Sequence, residues 1–144
     1  MKQIKLPFKI GEGYENREFN LEVLNYERIP FYDSYLYVGE VKKFLNILPQ
    51  KTELIFYWDR LEIVVLTLLN MDVNALEYFK EKLKSKVKLS ILKQNINGEI
   101  LECKNSNLIF YFMTSKRSNT TIVIYGNPNK IHEVYLNVLV DFLE

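Results

Sequence analysis

The sequence predicts an α+β fold: a mostly antiparallel β-sheet, made of hairpins and a C-terminal meander, packed with about three helices. Three observations carry this. Several short segments alternate apolar and polar residues with period two, as half-buried strands do. Three other segments repeat apolar residues at helical spacing. Turn dipeptides such as Asn97-Gly98 separate many of them. A chain of 144 residues suits one domain, residues 1–144, that needs no metal or disulfide to hold its core.

The elements follow in order. Ile4, Leu6, Phe8 and Ile10 alternate with Lys5, Pro7 and Lys9, which predicts a half-buried strand that Pro7 confines to an edge. Gly11-Glu12-Gly13 turns the chain. Phe19, Leu21 and Val23 alternate with Glu18, Asn20 and Glu22, a second strand with an acidic outer face. A short third strand covers Ser34 to Val38. Val41, Phe44, Leu45 and Leu48 lie on one helical stripe, so a first helix is expected over 40–48, stopped by Pro49. Glu53 to Trp58 and Leu61 to Leu68 read as strands joined at Asp59-Arg60. Asp72 is placed to cap a second helix carrying Leu76, Phe79 and Leu83.

Val87, Leu89 and Ile91 open a meander that turns at Asn97-Gly98 and continues near Glu99–Cys103, Leu108–Met113 and Thr120–Tyr125. Its further turns fall at 104–107 and 115–118. Asn129 is the expected cap of a C-terminal amphipathic helix with the stripe Ile131, Val134, Tyr135, Val138, Leu139 and Phe142. The helices are expected to cover one face or an end of the sheet.

Composition excludes several classes. Cys103 is the single cysteine, so an intramolecular disulfide and a thiolate metal cluster are both ruled out. The amino-terminal stretch is broken by lysines and Pro7, and lacks the apolar core of a secretory signal. The apolar run Ile63 to Leu69 is far too short to span a membrane. A cytoplasmic location is therefore expected, with no membrane partner, and Asn119-Thr120-Thr121 is expected to carry no glycan.

Catalytic signatures are also missing: the sequence has no phosphate-cradling glycine loop, nucleophile elbow or paired-histidine metal motif. His132 is the single histidine and reads as a half-exposed surface residue. The competing reading pairs it, as general base, with Cys103 as nucleophile. Glu15, Glu18, Glu99 and Glu102 read as surface charge. The expectation is a protein that is not an enzyme and has no catalytic residue, metal or cofactor.

The net charge of +1 hides a split. Residues 11–40 hold seven acids against Arg17 and Arg28, a local net of −5; residues 80–93 hold six lysines against Glu81, a local net of +5. Such asymmetry steers partners, or marks two solvated faces. Lys80, Lys82, Lys84, Lys86 and Lys88 form the candidate phosphate-binding cluster of a nucleic-acid-binding domain. No aromatic interleaves them for base stacking; Val87, Leu89 and Ile91 look like core. In the amino-terminal third, acids instead alternate with aromatics, Tyr26 and Glu27 among them. Tyrosine gives large contact area at low entropy cost, and acids around it orient a basic partner. The candidate protein-binding patch is Glu12, Tyr14, Glu15, Glu18, Glu22, Tyr32, Asp33 and Tyr35, with Asp59 and Arg60 at a nearby turn. The alternative is a sheet whose tyrosines lie over its solvated face.

A small, lysine- and asparagine-rich α+β chain with an acidic, tyrosine-rich 11–40 segment resembles the immunity proteins of bacterial polymorphic-toxin systems, including contact-dependent growth inhibition. The resemblance implies a toxin inhibitor that binds one cognate toxin domain and occludes its active site or another essential surface. Its net charge departs from that of the strongly acidic immunity proteins that block nucleases.

Overall fold

The computed structural model describes residues 4–24, 28–40 and 42–142, with side chains to Val138. It is an α+β structure built on one eight-stranded sheet. The strands are β1 (Leu21–Val23), β2 (Asp33–Tyr37), β3 (Lys51–Tyr57), β4 (Arg60–Leu68), β5 (Ser90–Asn95), β6 (Gly98–Asn105), β7 (Leu108–Ser115) and β8 (Thr120–Gly126). Helix α1 (Val73–Lys84) follows β4, and α2 (Ile131–Phe142) follows β8. The spatial order is β1-β2-β3-β4-β8-β7-β6-β5, and every neighbouring pair is antiparallel. Two four-strand meanders thus meet at β4 and β8, and α1 carries the chain from the centre to the far edge.

The central strands of the sheet are buried on both faces, which corrects the expectation of helices on one face or end, while the edge strands β1 and β5 are largely exposed. Leu54, Phe56, Val64, Leu66, Phe110, Phe112, Val123 and Tyr125 point to one face, under Phe79 and Leu83 of α1 and under Ile4, Phe8 and Phe44. Ile55, Ile63, Val65, Tyr111, Met113 and Ile124 point to the other, under Ile131, Val134, Tyr135 and Val138 of α2 and under Ile29 and Tyr32. Double-sided burial explains why β4 reads as a continuous apolar run rather than an alternating one. Arg28 clamps the second layer. Its Nε and Nη2 donate to the two carboxylate oxygens of Glu53 at 2.8 and 2.9 Å, and Nη1 donates to Asn137 on α2.

Several local expectations are corrected. Residues 4–10 form no strand: Ile4 and Phe8 are buried, but the segment straps the α1 face without joining the sheet. Pro7 has no N–H for a ladder, and the backbone of Phe8 is satisfied by one side chain. Tyr125 Oη accepts from Phe8 N–H at 3.1 Å and donates to Phe8 O at 2.9 Å. Residues 42–48 are not helical. Phe44 and Ile47 bridge around Leu45 and Asn46, which have φ of 47° and 65°. A helix this short is marginal on its own, and the turn already buries Phe44 against Phe79 and Phe112. Among the described residues there are therefore two α-helices, not three.

The strand expected at Val87 begins later, at Ser90, because a turn after α1 folds residues 85–87 back onto its last turn, the Val87 N–H donating to Leu83 O at 2.9 Å. Hairpin turns shift by one residue. Trp58-Asp59 replaces Asp59-Arg60, and Ile96-Asn97 replaces Asn97-Gly98. At the second turn Asn95 Oδ1 accepts from the N–H groups of Asn97 and Gly98. Gly98 is required there because a Cβ would meet Thr114 O at 1.9 Å. Asp72 caps α1, its Oδ1 accepting from Ala75 N–H at 2.8 Å. Before α2 it is Asn127, not Asn129, whose side chain accepts, from Asn129 N–H. Expectations on Tyr26, Glu27 and Val41, and on the side chains of Leu139 and Phe142, lie outside the described residues.

Candidate functional site

The β3–β4 hairpin turns through two left-handed residues, Trp58 (φ 51°) and Asp59 (φ 62°). Tight hairpins of this kind favour Asn-Gly or Asp-Gly, not a bulky aromatic. Trp58 nevertheless occupies the turn and is 80% exposed. Beside it, the loop before β2 holds Phe31 at φ 75°, where a large side chain is a genuine outlier. Its neighbours Ile29 and Tyr32 are buried, while Phe31 turns outward and is 90% exposed. Phe31, Asp33, Tyr57, Trp58 and Asp59 line a groove of about 410 Å³.

The groove has a firm floor. Residues 11–14 run alongside the start of β4, where β8 has already ended. Gly11 N–H donates to Leu61 O, Leu61 N–H to Glu12 O, and Tyr14 N–H to Asp59 O. Tyr14 thereby sits 5.3 Å from the ring of Tyr35 and 5.7 Å from that of Phe56. Burial pushes the Tyr35 hydroxyl up to about 12, helped by Asp33, by Tyr14 through its charge and a hydrogen bond, and by Asp59. Two carboxylates remote in sequence therefore converge on one tyrosine. Tyr57 is flanked by Lys130, whose Nζ lies 3.8 Å from the ring centroid.

The ten expected contact residues separate. Tyr14, Tyr35, Asp33 and Asp59 come together, and Arg60 follows in the same hairpin, exposed. Glu12 is tied to Arg17 at 3.1 Å. Glu15 and Glu18 are exposed on two single-turn 3₁₀ helices, Tyr14–Asn16 and Glu18–Asn20. Glu22 pairs with Leu36, next to Tyr35 in β2, so it points to the face opposite Tyr35. Tyr32 is not a surface tyrosine: it is buried under the α2 side, 4.9 Å from Tyr57. Burial, then Glu133, Tyr57 and Glu62, raise its hydroxyl pKa. Phe31 and Trp58 were missed by reading charge. The available signal was a bulky aromatic beside Asp59 in a tight turn, a local misfit of the kind found at functional sites.

The lysine run also separates. Lys80 is paired with the buried Glu99. Lys82 Nζ lies 5.0 Å over the ring of Tyr78, Lys84 and Lys88 are exposed, and Lys86 is half-buried. Cys103 and His132 lie on opposite sides of the sheet. Cys103 is buried in the α1-side core, whereas His132 is exposed on α2 beside Tyr135. Burial, then Glu102, pushes the Cys103 thiol up to about 11, against the thiolate a nucleophile needs. Among the described residues no three His, Cys, Asp or Glu side chains form a metal-ligand group, and no helix is long and apolar enough to cross a membrane. Comparisons with protein-family models, curated proteins and solved structures find no match to this chain.

Proposed function

We propose that this protein is a protein-binding inhibitor that uses the Phe31–Asp33–Trp58–Asp59 rim to hold a basic segment of one partner. The observation that carries the reading is the pair of exposed aromatics, Phe31 and Trp58, held in left-handed backbone beside two carboxylates. Left-handed geometry costs an ordinary residue roughly 1–2 kcal/mol. Leaving a large apolar side chain in water forgoes about 1.5–3 kcal/mol more. Strain of this sort concentrates at functional sites, and covering the rim recovers the apolar term.

The occupant follows from the lining. Aromatic faces attract cations, and Asp33 and Asp59 add charge complementarity, so a Lys- or Arg-bearing surface fits. Lys130 against Tyr57 is an intramolecular instance of the same contact. Together with the resemblance to polymorphic-toxin immunity proteins, this supports a cytoplasmic inhibitor that occludes a cognate bacterial toxin domain.

Trp58 is the only tryptophan in the chain, so its emission reports on the rim directly. Titration with the purified product of the adjacent gene is expected to shift that emission to the blue. Calorimetry is expected to show Trp58→Ala weakening the complex about 30-fold or more, the range of a central aromatic anchor. Equal binding by wild type, Trp58→Ala and Phe31→Ala would refute the assignment of the rim.

A further inference from the structure

We infer a second site, made of residues outside the rim, that takes a small anion with clustered phosphates. Five lysines converge on one groove of about 640 Å³: Lys5 from the amino-terminal strap, Lys42 and Lys43 from the turn at Phe44, and Lys82 and Lys86 from the end of α1. Among the described residues its remaining lining is apolar apart from Asn46, and no carboxylate lines it. Four cations outside the groove are held in ion pairs, Arg17 with Glu12, Arg28 and Lys51 with Glu53, and Lys80 with Glu99, whereas others such as Lys84 and Lys88 stand apart on the exposed surface. Among the described residues none of the five groove lysines has a carboxylate within ion-pair reach. Lys42 and Lys82 instead lie over the rings of Phe8 and Tyr78, at 5.8 and 5.0 Å.

Charges gathered in one groove repel within the screening length of about 8 Å at physiological salt. The negative end of the α1 dipole offsets only about half a charge. A multiply charged anion removes that repulsion, and the ammonium groups supply up to three donors each to phosphate oxygens. The volume lies within the roughly 300–1,000 Å³ of small-molecule sites. A polynucleotide is less well served, because its backbone needs a continuous basic track. Lys84, Lys88 and Lys93 do not line the groove, and Lys80 is neutralised by Glu99.

Calorimetric titration with inorganic tripolyphosphate at low salt tests this. One binding event per chain is expected, weakening as salt is added. Lys82→Gln with Lys86→Gln, and separately Lys5→Gln with Lys43→Gln, are each expected to weaken it at least tenfold. Lys84→Gln with Lys93→Gln should leave it unchanged. Equal affinity for ATP and tripolyphosphate would assign free polyphosphate as the source of the phosphates, and tighter ATP binding would assign a nucleotide; either supports the site. Absence of binding at low salt, or equal loss in the Lys84/Lys93 control, overturns it. So does a single-stranded 20-mer that binds with a much steeper salt dependence than tripolyphosphate, since that assigns a polynucleotide surface.

Discussion

The acidic rim sits at the β3–β4 turn, where it touches both core layers, and the lysine groove stands on the α1 side; both concentrate one sign of charge around left-handed turns. They differ in what accompanies the charge. At the rim, Asp33 and Asp59 stand beside Phe31 and Trp58, which are exposed, and above Tyr14, Tyr35 and Phe56, which are packed. In the groove, the neighbouring Phe8 and Phe44 are buried, and the charged side chains that line it are all lysines. Apolar anchors with charge around them suit a macromolecular partner, whose affinity depends on a few buried aromatics. Bare converging charge suits a small, highly charged ion.

The largest effects should come from removing the support beneath each region. Phe56 underlies the rim, and Phe79 packs against Phe44 at a tilt and against Phe112 edge-on near the groove. Truncating either to alanine should cost about 3–5 kcal/mol in chemical denaturation. In the folded fraction, Phe56→Ala should impair partner binding and spare tripolyphosphate, and Phe79→Ala should do the reverse. If either variant abolishes both activities, the two regions are one coupled site and the contrast fails.

A smaller effect should appear at alkaline pH. Tyr35 loses its proton near pH 10 when unfolded but is pushed up to about 12 when folded. The unfolded chain therefore binds fewer protons above pH 10, so this contribution is fully present below pH 10 and lost as pH rises toward 12. Denaturation midpoints measured from pH 9 to 11 should fall, and Tyr35→Phe should flatten part of the fall. An unchanged slope would mean that the rim tyrosine is not held neutral by its surroundings.

The smallest effect sharpens the claim of strain. Asparagine tolerates left-handed backbone better than tryptophan does, so Trp58→Asn should raise stability by about 1 kcal/mol while abolishing partner binding. A rise in melting temperature coupled to loss of binding is the expected signature. A fall in melting temperature would make Trp58 a structural residue.

Legibility was uneven, for local reasons. The Asp72 cap, the helix carrying Phe79 and Leu83, and the C-terminal meander follow from capping chemistry and side-chain periods, and they recur in the structure. The alternation at Ile4–Ile10 marks burial correctly, yet Tyr125 supplies the hydrogen bonds that a neighbouring strand was expected to give. The stripe over 40–48 is helical in spacing, but one buried phenylalanine held in a turn satisfies it. Within the candidate site, Tyr14, Asp33, Tyr35 and Asp59 were legible from composition. Tyr32 could not be separated from them, because its burial depends on the distant α2 layer.

From the sequence alone come the α+β class, the sheet built of hairpins, the cap on α1 and the opposite charge of the two segments. Each depends on interactions a few residues long, which side-chain spacing and turn chemistry record. Only the tertiary structure decided that Asp59 meets Asp33, that Trp58 and Phe31 flank them, and that Lys5 and Lys43 join Lys82 and Lys86. Those meetings depend on strand order and on which face each segment covers. A repeat of period two or 3.6 specifies an element's apolar side, but not the distant segment that packs beside it.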